Sequence, residues 1–160
     1  MTRKARIDDA VIIADIIIEA WRYNFSEIVD SSYIKAMSSK KYVKIFKDSI
    51  NENEEIILIH EENNHITGFV SASIDSQNNY SELNGLYIYP KYQGQGIGSI
   101  LLQEIISIIK QKHCNKTLVC TFLGAKNNKF YMKHTGSIQA YKEYKLGNKT
   151  YQGICFEFTN

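Results

Sequence analysis

The sequence predicts an α/β fold, a mixed and mostly antiparallel central sheet flanked by helices. Three observations predict it. Segments of period-two and of helical patterning follow one another in the order β-α-α-β-β-β-α-β-α-β-β. Tight-turn signals, Asn63-Asn64 and Gly147-Asn148, join two pairs of consecutive strands. The 160 residues, 44% of them hydrophobic, suit a single domain over 1–160 with a real buried core.

Arg3 to Ile7 reads as a short first strand, and Asp8 and Asp9 are placed to cap the helix that follows. Ile12, Ile13, Ile16, Ile17, Ala20 and Trp21 fall near one stripe of that helix. Residues 31–52 are mostly helical and amphipathic, with a break near Ser38-Ser39. Glu55 to His60 and His65 to Ile74 are strands around the Asn63-Asn64 turn, and Glu82 to Tyr89 is a third. A glycine loop leads to a strong helix from about Gly98 to His113, with apolar positions Leu101, Leu102, Ile105, Ile106 and Ile109. Thr117 to Thr121 is a short buried strand, and 125–134 a short helix. Ile138 to Leu146 and Lys149 to Phe158 form the last hairpin.

Composition narrows the function. A net charge of +2 makes no case for nucleic acid as a partner. The apolar runs, such as Val11 to Ala14, fall far short of the roughly 18–20 residues a membrane helix needs. The basic start Met1-Thr2-Arg3-Lys4 lacks the apolar stretch of a signal peptide. Cys114, Cys120 and Cys155 are odd in number and without CxxC spacing, so they imply neither a disulfide framework nor a zinc site. His60, His65, His113 and His134 are scattered, so no metal is expected. A reducing cytoplasm is the expected setting.

The most informative segment runs from Leu86 to Ser99, a strand, a glycine-rich turn and a helix start. Glycines let the backbone turn sharply and approach a ligand closely, and the helix N-terminus suits a phosphate or pyrophosphate. The competing reading is a plain strand-to-helix turn. A P-loop needs Lys and then Ser or Thr after its last glycine, but Gly98 is followed by Ser99-Ile100. A dinucleotide fingerprint needs an acid about 20 residues on, where this chain has Leu118-Val119-Cys120-Thr121.

The segment resembles the acetyl-CoA motif of the GNAT superfamily, Q/R-x-x-G-x-G/A, through Gln93, Gly96 and Gly98. Leu86 to Pro90 looks like that family's cofactor strand, and Phe130-Tyr131-Met132-Lys133-His134-Thr135-Gly136 resembles its second hallmark. Ala20-Trp21-Arg22, with Ile28-Val29 and Tyr33, looks like the opening helices of one GNAT branch. The sequence departs from the pattern at three places. Met132 replaces a usual acid, Ser137-Ile138 a usual aromatic, and Gln95 stands where many members are basic.

The resemblance implies an N-acetyltransferase with acetyl-CoA as cosubstrate, acting by direct transfer to an amine of a small molecule or protein N-terminus. It implies that the backbone of Leu86, Tyr87 and Ile88 pairs with the pantetheine arm, and that the Ile88 N–H polarises the thioester carbonyl. Gln93, Gly94, Gln95, Gly96, Ile97, Gly98 and Ser99 would hold the pyrophosphate, and Asn127 or Asn128 would also contact the cofactor. Tyr131 holds the family position of a general acid; the alternative is an aromatic packed beside the cofactor. Glu82 would accept the amine's proton, or be a solvated strand-end acid. Trp21, Tyr23 and Tyr33 would line the acceptor cleft, near Glu27 and Asp30, or be core. Lys126, Lys129 and Lys133 would face the phosphates or simply solvent. The implied partner is a small-molecule amine acceptor, with no nucleic acid and no membrane; a homodimer is left open. The rivals are a non-catalytic acetyl-CoA-binding regulatory module of the same fold and a nucleotide-binding oxidoreductase.

Overall fold

A computed structural model describes residues 1–135 and 137–159. Gly136, the last residue of the second hallmark, lies outside them. The strands are β1 (Thr2–Lys4), β2 (Ile56–Glu62), β3 (His65–Asp75), β4 (Tyr80–Ile88), β5 (Lys116–Phe122), β6 (Ile138–Leu146) and β7 (Lys149–Thr159). They form one sheet in the order β1-β2-β3-β4-β5-β7-β6. Only β4 and β5 run parallel; the other neighbours are antiparallel. The helices are α1 (Ala10–Phe25), α2 (Ser31–Lys35), α3 (Ser39–Glu52), α4 (Ile97–Gln111) and α5 (Asn128–Thr135).

The expected turns form for the expected reasons. Asn63 and Asn64 both take positive φ, which suits the two-residue β2–β3 hairpin. Gly147 does so at φ +58° in the β6–β7 turn. Ser38 caps α3, its hydroxyl accepting from the Lys41 N–H. The N-terminal cap is a correction. Asp9 makes no side-chain cap bond to α1. Its carboxylate instead accepts from the Arg6 N–H and from the Arg3 guanidinium, because an ion pair with a half-buried arginine outcompetes a cap. Residues 7–9 become a 3₁₀ turn.

Two apolar layers sandwich the sheet. On one face α4 buries Leu101, Leu102, Ile105 and Ile109 against Val70, Ala72, Leu83, Val119 and Phe156, with Tyr131 of α5 in the same cluster. Each such aliphatic contributes about 1.5–3 kcal/mol. On the other face α1 and α3 cover Ile57, Ile59 and Phe69.

A second correction concerns the cysteines. Cys120 and Cys155 are joined in a disulfide across the β5–β7 ladder, where they face each other in register, while Cys114 is a buried thiol that donates to Tyr80 O. Sequence spacing hides the pair because strand register, not chain separation, brings the two together.

Two irregularities prepare the site. The β4–β5 pairing runs only from Tyr80–Lys116 to Leu83–Val119, so the strands splay apart beyond it. The β3–β4 ladder pairs Ala72 with Leu83 but Ser71 with Gly85, which leaves Asn84 as the extra residue of a β-bulge.

Candidate active site

A cavity of about 410 Å³ passes through the splay. Its floor is Leu86, Tyr87 and Ile88 of β4. The antiparallel ladder fixes where the backbone of this strand points. The Tyr89 N–H donates to Thr67 O of the neighbouring chain segment at 2.9 Å. N–H groups alternate along a strand, so that of Ile88 points away from β3, into the splay that β5 has left. The Ile88 carbonyl accepts from Gln93 Nε2 at 3.1 Å, which ties the glycine turn to the strand end.

The turn is built by Gly94 and Gly96, at φ +78° and +82°, and Gly96 is the N-cap of α4. Both positions, with Ile97, Gly98 and Ser99, line the cavity. The N–H groups of Ile97 and Gly98 lie ahead of the first bonds of α4, which run from Ser99 and Ile100 back to Gly96 O, and carry the positive end of the dipole. Nothing lies within 4 Å of where a Cβ would stand on Gly94 or Gly96. That opening admits a phosphate group close to the backbone, so the residues present fit the pyrophosphate of a coenzyme A thioester. Lys126 and Lys133 reach the same rim.

Tyr131 is 3% exposed, lines the cavity, and packs on Phe156 with ring centroids 5.7 Å apart. Burial, with Tyr87 nearby, pushes its phenol well above the ordinary value, so it keeps its proton. Phe130 lines the cavity as well and rests against Gly98, whose Cβ would meet its ring at 3.5 Å.

The two asparagines separate. Asn127 lines the cavity and accepts from Thr121 Oγ1. Asn128 braces the loop before α5, accepting from the Gly124 N–H and donating to Phe122 O. Gln95 is not among the lining residues; its amide donates to Lys91 O at 3.3 Å.

The acceptor candidates lie on the opposite sheet face. Trp21 donates from Nε1 to the Tyr87 hydroxyl and packs on Phe25, Phe122 and Tyr33. Tyr23 is 49% exposed, with Lys126 Nζ 4.6 Å from its ring centroid. None of Trp21, Tyr23 and Tyr33 lines the cavity; Asn24 and Phe25 do, as does Tyr92 from the turn. Asn24 stands between Tyr23 and Phe25 and carries no sequence signal of its own. Glu82 is half-buried, opposite Ser73 and Leu118, one rung before the splay and outside the cavity lining. Asp30 is committed to Lys149 and Ser32, and Glu27 is exposed.

A strand splayed from its parallel partner beside a glycine turn at a helix N-terminus forms a site that fits an extended ligand ending in a phosphate or pyrophosphate. The chain belongs to the acetyltransferase (GNAT) family, whose model matches residues 17–136. It is an acetyl-CoA-dependent acyltransferase. The spermidine N(1)-acetyltransferase of Thermoplasma acidophilum is 29% identical over 117 residues, 69% of this chain and 70% of that protein. The crystal structure of PaiA N-acetyltransferase from Thermoplasma acidophilum in complex with coenzyme A has a TM-score of 0.80 at 22% identity, covering 100% of this chain and 98% of that one. A ribosomal-protein-alanine N-acetyltransferase from Brucella melitensis has a TM-score of 0.78 at 14% identity, covering 100% and 99%. No helix among the described residues is long and apolar enough to cross a membrane.

Proposed function

We propose that this enzyme moves the acetyl group of acetyl-CoA directly onto the primary amine of a small cationic acceptor of the polyamine type. The observation that carries the reading is the continuity of the cavity. It runs from the N-terminus of α4 to Tyr87 and Phe25 on the opposite sheet face, so donor and acceptor can meet inside the splay. Among the described residues no cysteine lines it, which supports transfer without an enzyme-bound thioester.

Acetyl-CoA supplies the activated acetyl thioester. The backbone N–H groups from Gly94 to Gly98 hold negative charge at the head of α4, and Asn127 stands at the cavity wall. The Ile88 N–H offers a hydrogen bond to a carbonyl oxygen in the splay. Glu82, through water, accepts the proton that an ammonium must lose before its nitrogen can attack. Tyr131 Oη holds a proton that passes to sulfur as the carbon–nitrogen bond forms and the carbon–sulfur bond breaks; the attacking nitrogen releases its second proton to solvent, and the phenolate recovers one from solvent. The preference for a cation is supported by Glu82 on the aromatic face and by the relative that acts on spermidine.

The test is acetyl-CoA turnover against spermidine, an alanine-initiated peptide and anionic amino acids. Spermidine should exceed the anionic acceptors in kcat/KM by at least about tenfold, a difference of 1.4 kcal/mol. Equal turnover of anionic and cationic acceptors rejects the acceptor class. Tight acetyl-CoA binding with no turnover on any amine favours the non-catalytic module instead.

A further inference from the structure

Two tyrosines on the α1 face stand where glycines make room for them. A Cβ on Gly85 would lie 2.5 Å from Tyr87 Cε2, and one on Gly153 would lie 2.4 Å from Tyr144 Cε2. Each ring therefore lies down on the sheet over a residue that has no side chain. Tyr87 comes from β4, on one side of the splay, and lines the cavity. Tyr144 comes from β6 and reaches Phe122, the last residue of β5 on the other side, at a centroid distance of 5.2 Å. Phe122 and Tyr87 are bridged by Trp21, which packs on the first at 5.6 Å and donates to the hydroxyl of the second at 3.2 Å.

We infer that Tyr144, with Tyr87, forms the acceptor seat of this enzyme, the two phenols holding the incoming amine above Glu82. The inference rests on the acetyl-transfer reading and adds to it the residues that grip the acceptor. Tyr87 and Tyr144 pack against one buried cluster that includes Phe25 and Phe122, and the register of β4 puts Glu82 on the same sheet face as Tyr87; of the three, Tyr87 lines the cavity and the other two stand beyond its wall. Burial pushes both phenols up to about 12, so each is a neutral donor and acceptor. One face of the Tyr144 ring is against Gly153, and Lys142 Nζ lies 4.7 Å from its centroid, so the hydroxyl rather than the π face is left for a ligand. A phenolic oxygen that accepts an amine N–H orients the nitrogen lone pair, and a carboxylate below draws in the alkylammonium form.

The test compares Tyr144→Phe, which removes only the hydroxyl, with Gly153→Ala, which leaves Tyr144 in place but displaces its ring. Spermidine is the probe. KM for spermidine should rise about three- to tenfold in both, the worth of one hydrogen bond, while calorimetry shows acetyl-CoA affinity unchanged. The single tryptophan, Trp21, gives a readout without turnover, because it is bonded to Tyr87. Its fluorescence should respond to spermidine in the parent and less so in both variants. Folded variants with the parent's KM and the parent's Trp21 titration overturn the seat. A Trp21 response with no acetyl transfer to spermidine keeps the seat and rejects the polyamine acceptor class. Absence of both responses to spermidine in the parent overturns the seat as well.

Discussion

Replacing Gly96 by alanine separates what the glycine turn does for folding from what it does for binding. Gly96 sits at φ +82°, where an L residue costs about 1–2 kcal/mol. No protein atom lies within 4 Å of the added methyl, so sterics inside the protein add nothing. For a chain of this size each kcal/mol moves Tm by about 2–4 °C, so Tm should fall by ~2–8 °C. Binding should suffer more. The methyl would project into the cavity at the head of α4, where a phosphate makes charge-assisted hydrogen bonds worth about 1.5–3 kcal/mol each. Losing one such bond weakens acetyl-CoA about 10- to 150-fold. Gly147→Ala is the control, with φ +58°, open space around it, and a place in the β6–β7 turn outside the cavity. It should lower Tm by a similar amount and leave affinity alone. Scanning calorimetry and titration calorimetry with acetyl-CoA give both numbers. A folded Gly96→Ala variant with the parent's affinity would refute the turn as the phosphate site, and so would an equal loss in Gly147→Ala.

Tyr131→Phe should leave acetyl-CoA affinity nearly intact and lower kcat about 10²–10⁴-fold, the usual range for a general acid; a raised KM with unchanged kcat would make the hydroxyl a binding contact. Glu82→Gln should slow transfer at neutral pH and regain much of the loss at high pH, where solvent deprotonates the amine, and an unaltered pH–rate profile would leave Glu82 a structural role only. Reducing the Cys120–Cys155 disulfide opens a loop of 35 residues, so stability should fall by up to about 4 kcal/mol. Thermal melts with and without dithiothreitol measure this, and Cys120→Ser should abolish the difference.

Element type and order are legible in this chain because each signal is local. The Asn63-Asn64 and Gly147-Asn148 turns, the α4 stripe and the break at Ser38 all act within a few residues, and all form. The glycine turn is legible for the same reason. What escapes the sequence is set by partners far along the chain. Asp9 forgoes its cap for Arg3 and the Arg6 N–H. Cys120 finds Cys155 only through the β5–β7 register. Asn127 and Asn128 are equivalent as residue types, and the β5–α5 loop decides that the first faces the cavity while the second bonds Gly124 and Phe122. Tyr144 carries no motif, and its place depends on Gly153 lying diagonal to it on β7.

The bulge at Asn84 is the least legible feature, and the arrangement of the site depends on it. In a regular strand Glu82, Leu86 and Ile88 would share one face, since side chains alternate with period two. Leu86 and Ile88 pack into the α4 layer, so an unbroken β4 would send Glu82 there too, a carboxylate in an apolar core. The extra residue flips the parity. Leu83, paired with Ala72, joins the α4 layer, and Glu82, paired with Ser73, shares the face of Tyr87, which is paired with Phe69. Beyond the bulge β5 no longer pairs, and the N–H groups of Leu86 and Ile88 turn toward the gap. One strand thus offers its edge to the donor, and its α1 face carries Glu82 and Tyr87 for the acceptor. Inserting or deleting one residue at position 84 would keep every residue type named in the site and exchange the faces they occupy, because a one-residue slip moves each side chain to the opposite face.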